Sequence, residues 1–234
     1  MPRIPRIFLP GHPVHVVQRG NNRGQVFFRP GDAQVYLSWL QEAAAAHRVA
    51  VHAYVLMTNH IHLLVSPETA FGLPRAMRHV NWRYSRYANN TQERTGSIWE
   101  GRYRASLVDA DAYFFACMRY IEMNPVRAGM AEAPRDFRWS SYKANAEAKA
   151  DPLITPHALY MEMGDTPDAR AEAYRSLFEG VMPEDALGAI RGAINGGWPL
   201  GGEGFTRLIS RHAGQSMQKG QRGRPKGYKF TPRK

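Results

Sequence analysis

The sequence predicts an α+β fold of the split βαβ type, a ferredoxin-like or RRM-like sandwich extended by a small helical C-terminal region and a basic tail. Two observations predict it. The hydrophobic pattern changes period in the order strand, helix, strand, strand, helix, strand. A chain of 234 residues with 44% hydrophobic content is also long and apolar enough to bury a sizeable core. Such a fold packs helices on one face of an antiparallel sheet and leaves the other face open for ligands.

The elements follow in order. "HPVHVVQRG" alternates around Val14, Val16 and Val17 and reads as a first strand that ends at the Gly20 turn of "RGNNRG". "GDAQVYLSWLQEAAAAHRV" places Val35, Leu37, Leu40 and several alanines at helical spacing, with Asp32 as candidate cap. "VAVHAYVLM" and "HIHLLVSP" read as two strands joined by the turn "TN", a hairpin. "GLPRAMRHVNWRYSRYANNTQERTG" carries Met77, Val80, Trp82, Tyr84 and Tyr87 among arginines as a second helix. "GRYRASLVD" is a fourth strand, and the helix "ADAYFFACMRYIEMN" follows it, with Asp109 and Asp111 as candidate caps.

Composition narrows the function classes. One cysteine, Cys117, excludes an intramolecular disulfide framework, and no apolar run is long enough for a membrane span. Three prolines in the first ten positions break any signal-peptide core, so a cytoplasmic protein with no membrane partner is expected. The net charge of +11 is uneven. Residues 1–150 hold 19 basic and 11 acidic side chains, residues 151–190 hold 2 and 8, and residues 191–234 hold 10 and 1. Two basic blocks flanking an acidic one point to a polyanion, with nucleic acid the expected partner and a merely soluble basic protein the alternative.

Within "NHIHLLV", His60 and His62 stand two apart in a strand and so share one face, opposite to Ile61 and Leu63. Paired imidazoles suit a divalent metal, although two histidines on a polar sheet face satisfy the same pattern. In "ACMRYIEMNPVRAGM", Tyr120 and Asn124 are one helical turn apart, and Pro125 disfavours helical geometry at residue 124. Two imidazoles and an amide oxygen would leave open positions on a divalent ion, within reach of a nucleophile one turn away.

The segments "LPGHPVHVVQRGNNR", "YVLMTNHIHLLV", "IWEGRYRASLV" and "MRYIEMNPVRAGM", followed by "RWSSY", closely resemble the REP-associated tyrosine transposases, relatives of the single-tyrosine HUH transposases of small insertion sequences. The resemblance covers roughly residues 1–145. It implies His60, His62 and Asn124 as metal ligands and Tyr120 as nucleophile. It implies a metal-dependent endonuclease and strand transferase acting on single-stranded DNA or on hairpins from palindromic repeats, through a 5′-phosphotyrosine. A monomer is expected by the same resemblance, with a dimer the alternative. Magnesium and manganese are both expected to serve, with manganese the tighter because it tolerates imidazole. The alternatives are a DNA-hairpin-binding regulator that keeps the fold without turnover and a small-molecule metallohydrolase, for which His-x-His is common.

Candidate DNA contacts are Arg19, Asn21, Asn22 and Arg23 of the glycine turn, with Arg78, Arg83, Arg86, Arg102, Arg104 and Arg119, and Arg75 as a further basic residue. Trp99, Trp139 and Tyr142 read as core, with stacking on unpaired bases the alternative. Three regions are expected: the transposase-like domain 1–145, a linker and helical accessory region 146–203 opening with "NAEAKADPLITP", and a basic tail 204–234. The tail has nine basic and no acidic side chains. Its "RGRPKG", with Arg222, Arg224 and Lys226, is like an AT-hook core, the alternative being a basic tail without sequence preference.

Overall fold

The computed structural model describes residues 6–217, so Arg222, Arg224 and Lys226 lie outside the described residues. The strands β1 (Val14–Arg19), β2 (Val49–Leu56), β3 (His60–Pro67) and β4 (Arg104–Leu107) form one antiparallel sheet in the order β2-β3-β1-β4. Helix α1 (Asp32–Ala46) joins β1 to β2, and α2 (Gly72–Thr91) joins β3 to β4. This is the split βαβ arrangement that the periodicities predict.

Each face of the sheet has its own core. Val14 and Val16 of β1 and Ile61, Leu63 and Val65 of β3 are buried with Tyr36 and Leu40 of α1 and with Met77, Val80 and Tyr84 of α2. The buried residues of α2 recur every three or four positions, from Leu73 through Ala88, and make a single apolar stripe. Trp82 falls off that stripe and is 59% exposed. On the other face, Ala53, Val55 and Leu64 meet Phe114, Cys117, Met118 and Ile121 of α3 (Ala110–Glu122). The face that the simple sandwich leaves open is therefore half covered by the helix that carries Tyr120.

Several expectations need correction. Asp32 does not cap α1. It is the first helical residue, and its Oδ2 accepts from the backbone N–H groups of Phe28 and Arg29 at 2.7 and 2.9 Å, closing the turn before the helix. Asp109 occupies the N-cap position of α3 without a side-chain capping bond. The fourth strand is shorter than the pattern that suggested it, because the chain at Gly101 takes φ +136° and leaves the extended region. The expectation of core holds for Trp99 and Tyr142, which are buried, and Trp139 packs against the core partly exposed.

The chain after residue 141 folds onto both edges of the sheet. It forms α5 (Tyr142–Glu147), α6 (Ala158–Met161), α7 (Pro167–Ser176), α8 (Glu184–Gly196) and α9 (Glu203–Ala213). The segment that reads as a linker is a strap, with Ile154 pairing parallel to Val51 of β2 and Leu153 buried. At the opposite edge Leu200 pairs parallel to Val108, just beyond β4. Unpaired strand edges are thus shielded by the chain's own backbone.

Candidate active site

The site is built on the α3 side of the sheet. Strand alternation sends His60 and His62 of β3, His15 and Arg19 of β1, and Arg104 and Ser106 of β4 toward that side. His60 Nδ1 lies 2.6 Å from Asn59 Oδ1, an atom that only accepts, while Asn59 Nδ2 donates to the Arg23 carbonyl at 2.9 Å. His60 therefore carries its proton on Nδ1 and keeps the lone pair on Nε2.

His62 is oriented in a parallel way. Its Nδ1 lies 2.9 Å from His15 Nε2, with the two rings stacked 5.2 Å apart. Either ring can donate across this contact. When His62 presents an Nε2 lone pair, its Nδ1–H must donate and His15 Nε2 must accept. His15 then carries its proton on Nδ1, a buried atom with no hydrogen-bond partner. Burial lowers the pKa of His15 to about 3 and, with help from the Arg19 charge, that of His60 to about 4. His62 is pushed well below its usual value by burial and then by the charges of its neighbours, His15 first. All three are neutral at neutral pH, the state in which an imidazole can ligate a metal.

Tyr120 faces both imidazoles. Its ring centroid is 5.9 Å from that of His62 and 5.8 Å from that of His15, both edge-on. The guanidinium carbon of Arg127 sits 4.2 Å from the Tyr120 ring centroid, and Arg127 Nη2 donates to the Tyr120 carbonyl at 2.6 Å. Tyr120 is 7% exposed, so its ring is clamped between imidazoles and a guanidinium. The helix breaks at Met123, one residue before the position expected from Pro125, and a short helix α4 (Asn124–Arg127) resumes there. Asn124 Nδ2 donates to the carbonyls of Tyr120 and Ile121 at 3.1 and 3.3 Å, which leaves Oδ1 as the amide's open acceptor.

A buried carboxylate fixes the helix from behind. Glu122 accepts from Ser141 Oγ at 2.6 Å, Asn145 Nδ2 at 2.8 Å and Tyr174 Oη at 2.8 Å. Burial raises its pKa to about 7 against the opposing pull of those three donors. These bonds tie α3 to α5 and α7, so the accessory helices help set the position of Tyr120.

The donor set fits a divalent cation: two neutral imidazoles with their Nδ1 atoms supported, and an amide oxygen one helical turn from the nucleophile candidate. Among the described residues no group of three or more histidine, cysteine, aspartate or glutamate side chains is placed to hold a metal. The third protein ligand would be an uncharged amide, and the remaining positions would fall to water or substrate oxygens.

His60, His62, Tyr120 and Asn124 all line a cleft of about 710 Å³. Its charged wall consists of Arg6, Arg19, Arg102, Arg104, Arg127 and Arg191 against a lone carboxylate among the described residues, Glu100. The structure thus brings Arg19, Arg102 and Arg104 together with the four central residues. Asn21, Asn22 and Arg23 form an exposed turn after β1, with Asn22 and Arg23 in left-handed backbone geometry. Arg75, Arg78, Arg83 and Arg86 sit on α2, across the sheet; Arg83 pairs with Glu42 and Arg86 stacks on Trp82. Arg119 is turned to the Gly180 carbonyl and the Phe178 ring. Sequence reasoning missed His15 and Arg127. His15 was within reach through the parity of β1, which it shares with Arg19, and Arg127 through its two-turn spacing from Tyr120.

Known proteins can be set beside this geometry. The family model described as Transposase IS200 like matches residues 10–124. The structure of a REP-associated tyrosine transposase bound to a REP hairpin is similar at 16% identity and a TM-score of 0.55, covering 67% of this chain and 93% of that one. A putative transposase from Deinococcus radiodurans R1 aligns at 16% identity and a TM-score of 0.37, over 57% of this chain and all of that one. No curated protein matches the chain. Among the described residues no helix is long and apolar enough to cross a membrane. Residues 10–124, which include both β3 histidines, Tyr120 and Asn124, match the transposase domain of the IS200-like family.

Proposed function

We propose that the chain is a single-tyrosine transposase of the HUH type, a metal-dependent endonuclease and strand transferase for single-stranded DNA at or near palindromic-repeat hairpins. The observation that carries this reading is the placement of Tyr120 against His62, with His60 and Asn124 in the same arginine-lined cleft. The hairpin in the structure of the REP-associated relative supports the choice of substrate.

In this reading His60 Nε2, His62 Nε2 and Asn124 Oδ1 hold magnesium or manganese. When bound, the cation neutralises a non-bridging phosphate oxygen and eases departure of the 3′ oxygen. Tyr120 Oη attacks phosphorus, the P–O3′ bond breaks, and the phenol proton ends on the departing 3′ oxygen. The products are a 5′-phosphotyrosine and a free 3′ hydroxyl, and reversal with another 3′ hydroxyl reseals the strand without ATP. Arg127 holds the Tyr120 ring and supplies positive charge beside the forming phosphotyrosine. Asn59 and His15 act through the histidines, fixing which nitrogen faces the cation.

A cleavage assay on labelled hairpin oligonucleotides with unpaired flanks tests the reading. Manganese should support cutting of the single-stranded flank, a chelator should stop it, and His60→Ala should lose it at low manganese while still binding the hairpin. Cutting that persists in the chelator, or that His60→Ala leaves unchanged, would contradict the metal site.

A further inference from the structure

Helix α8 lies outside the family-matched segment, yet it forms a wall of the cleft. Leu187, Ile190, Ala193 and Ile194 are its buried face and bring it against α3. Arg191 and Asn195 are four residues apart, so they share the neighbouring face, and both line the cleft with Tyr120 and Arg127.

The wall is fixed to the sheet. Gly197, at φ +72°, ends the helix, its N–H donating to the Ala193 carbonyl at 2.8 Å. At Gly196 a Cβ would fall within 1.8 Å of Trp198 Nε1, so only glycine lets the indole fold back there. The Trp198 carbonyl accepts from Ser106 Oγ, Leu200 N–H donates to the Leu107 carbonyl at 2.7 Å, and Asp109 N–H donates to the Leu200 carbonyl at 2.8 Å.

The side chains on this wall have spare capacity for an anion. Asn195 Oδ1 accepts from Arg104 Nη1 at 2.7 Å, so the amide end left over is the N–H₂ donor. Arg191 meets Glu184 at 3.4 Å, an exposed pair of the kind that contributes little. Arg191 and Arg127 line the same cleft, and the charge of Arg191 adds to the lowering of the Arg127 pKa, whose first cause is burial. Cations held together in this way are relieved by a phosphate between them.

We propose that α8 and the turn that follows it are the second wall of a single-stranded-DNA channel, with Arg191 and Asn195 holding a backbone phosphate that neighbours the one attacked by Tyr120. The inference rests on the cleavage reading for the identity of the attacked phosphate. It gives the accessory region a direct part in the substrate grip.

The test measures binding of a short oligothymidylate to the full chain, Arg191→Ala, Arg191→Lys and Asn195→Ala by fluorescence anisotropy across a salt series, with tyrosine adduct formation scored in parallel. Arg191 is half exposed, so its truncation leaves the core intact. Arg191→Ala should weaken binding several-fold and reduce the slope of log affinity against log salt by about 0.7, the value for one phosphate on a single strand. Arg191→Lys should restore the slope, and Asn195→Ala should weaken binding without changing it. Unchanged affinity and slope in Arg191→Ala would overturn the proposal, as would tighter binding, which would make α8 a barrier. Absence of an adduct in the unmodified chain, with the Arg191 effects intact, would instead strike the cleavage reading and leave the phosphate wall standing.

Discussion

The two faces of the sheet are made by the same strands and have opposite characters. Toward α1 and α2, β1 and β3 present Val14, Val16, Ile61, Leu63 and Val65, all buried among aliphatic and aromatic side chains. Toward α3 they present His15, His60 and His62, each with a nitrogen committed to a neighbour. Because side chains alternate with a period of two, one strand can carry stability on one face and chemistry on the other, provided its register is fixed. The apolar face fixes it: a one-residue slip would place the histidines among the aliphatics and turn Ile61 and Leu63 toward the cleft.

Substitutions can break that division of labour. The largest effect is expected from Ile61→Asp, which buries an unpaired charge and should leave no cooperative unfolding transition by circular dichroism, whereas Ile61→Ala should cost about 3 kcal/mol in a denaturant titration. His62→Ala should behave the other way, keeping a folded chain while manganese-dependent cleavage falls to background. A His62→Ala protein that unfolds would show that the reactive face also carries the fold.

A smaller effect sharpens the comparison within the reactive face. His15→Phe removes the acceptor for His62 Nδ1 and should weaken manganese binding about 10–100-fold by titration calorimetry, in the range usual for groups that orient a ligand. His15→Gln retains an acceptor and should recover much of that loss. Equal weakening by both would mean that His15 acts by packing alone.

A further effect is in pH. His15, His52 and His60 are lowered to between about 3 and 4, so below pH 6.5 the unfolded chain binds more protons and stability falls as pH drops toward those values. Glu122, raised to about 7, works in the opposite direction, because the folded chain binds the extra proton between its ordinary value and 7. Three lowered histidines outweigh one raised carboxyl, so the melting temperature should decline from pH 6.5 to pH 4. Glu122→Gln should deepen that decline by removing the opposing group.

Periodicity was enough for the four strands, their succession along the chain and the two helices that cover the sheet, because each of those elements is decided by an apolar stripe visible within a few residues. His60, His62, Tyr120 and Asn124 were legible for a similar reason: each pair is local, two apart on a strand or four apart on a helix. His15 and Arg127 were not singled out, since their roles depend on which strand neighbours β3 and on a helix that breaks and restarts. The strap at Ile154 and the pairing at Leu200 had no local signal, being single bridges made by irregular chain. The wall formed by Arg191 and Asn195 depends on where α8 docks, and that is set by long-range burial against α3.

In the proposed reaction Tyr120 becomes covalently joined to DNA. The most direct measurement incubates the chain and its Tyr120→Phe variant with a labelled single-stranded hairpin and manganese, denatures the mixture, and follows the label on a denaturing gel. Label should migrate with the unmodified protein and not with Tyr120→Phe, and hairpin binding should be nearly equal for the two before denaturation. No adduct from the unmodified protein despite tight hairpin binding, or an adduct that survives Tyr120→Phe, would contradict it.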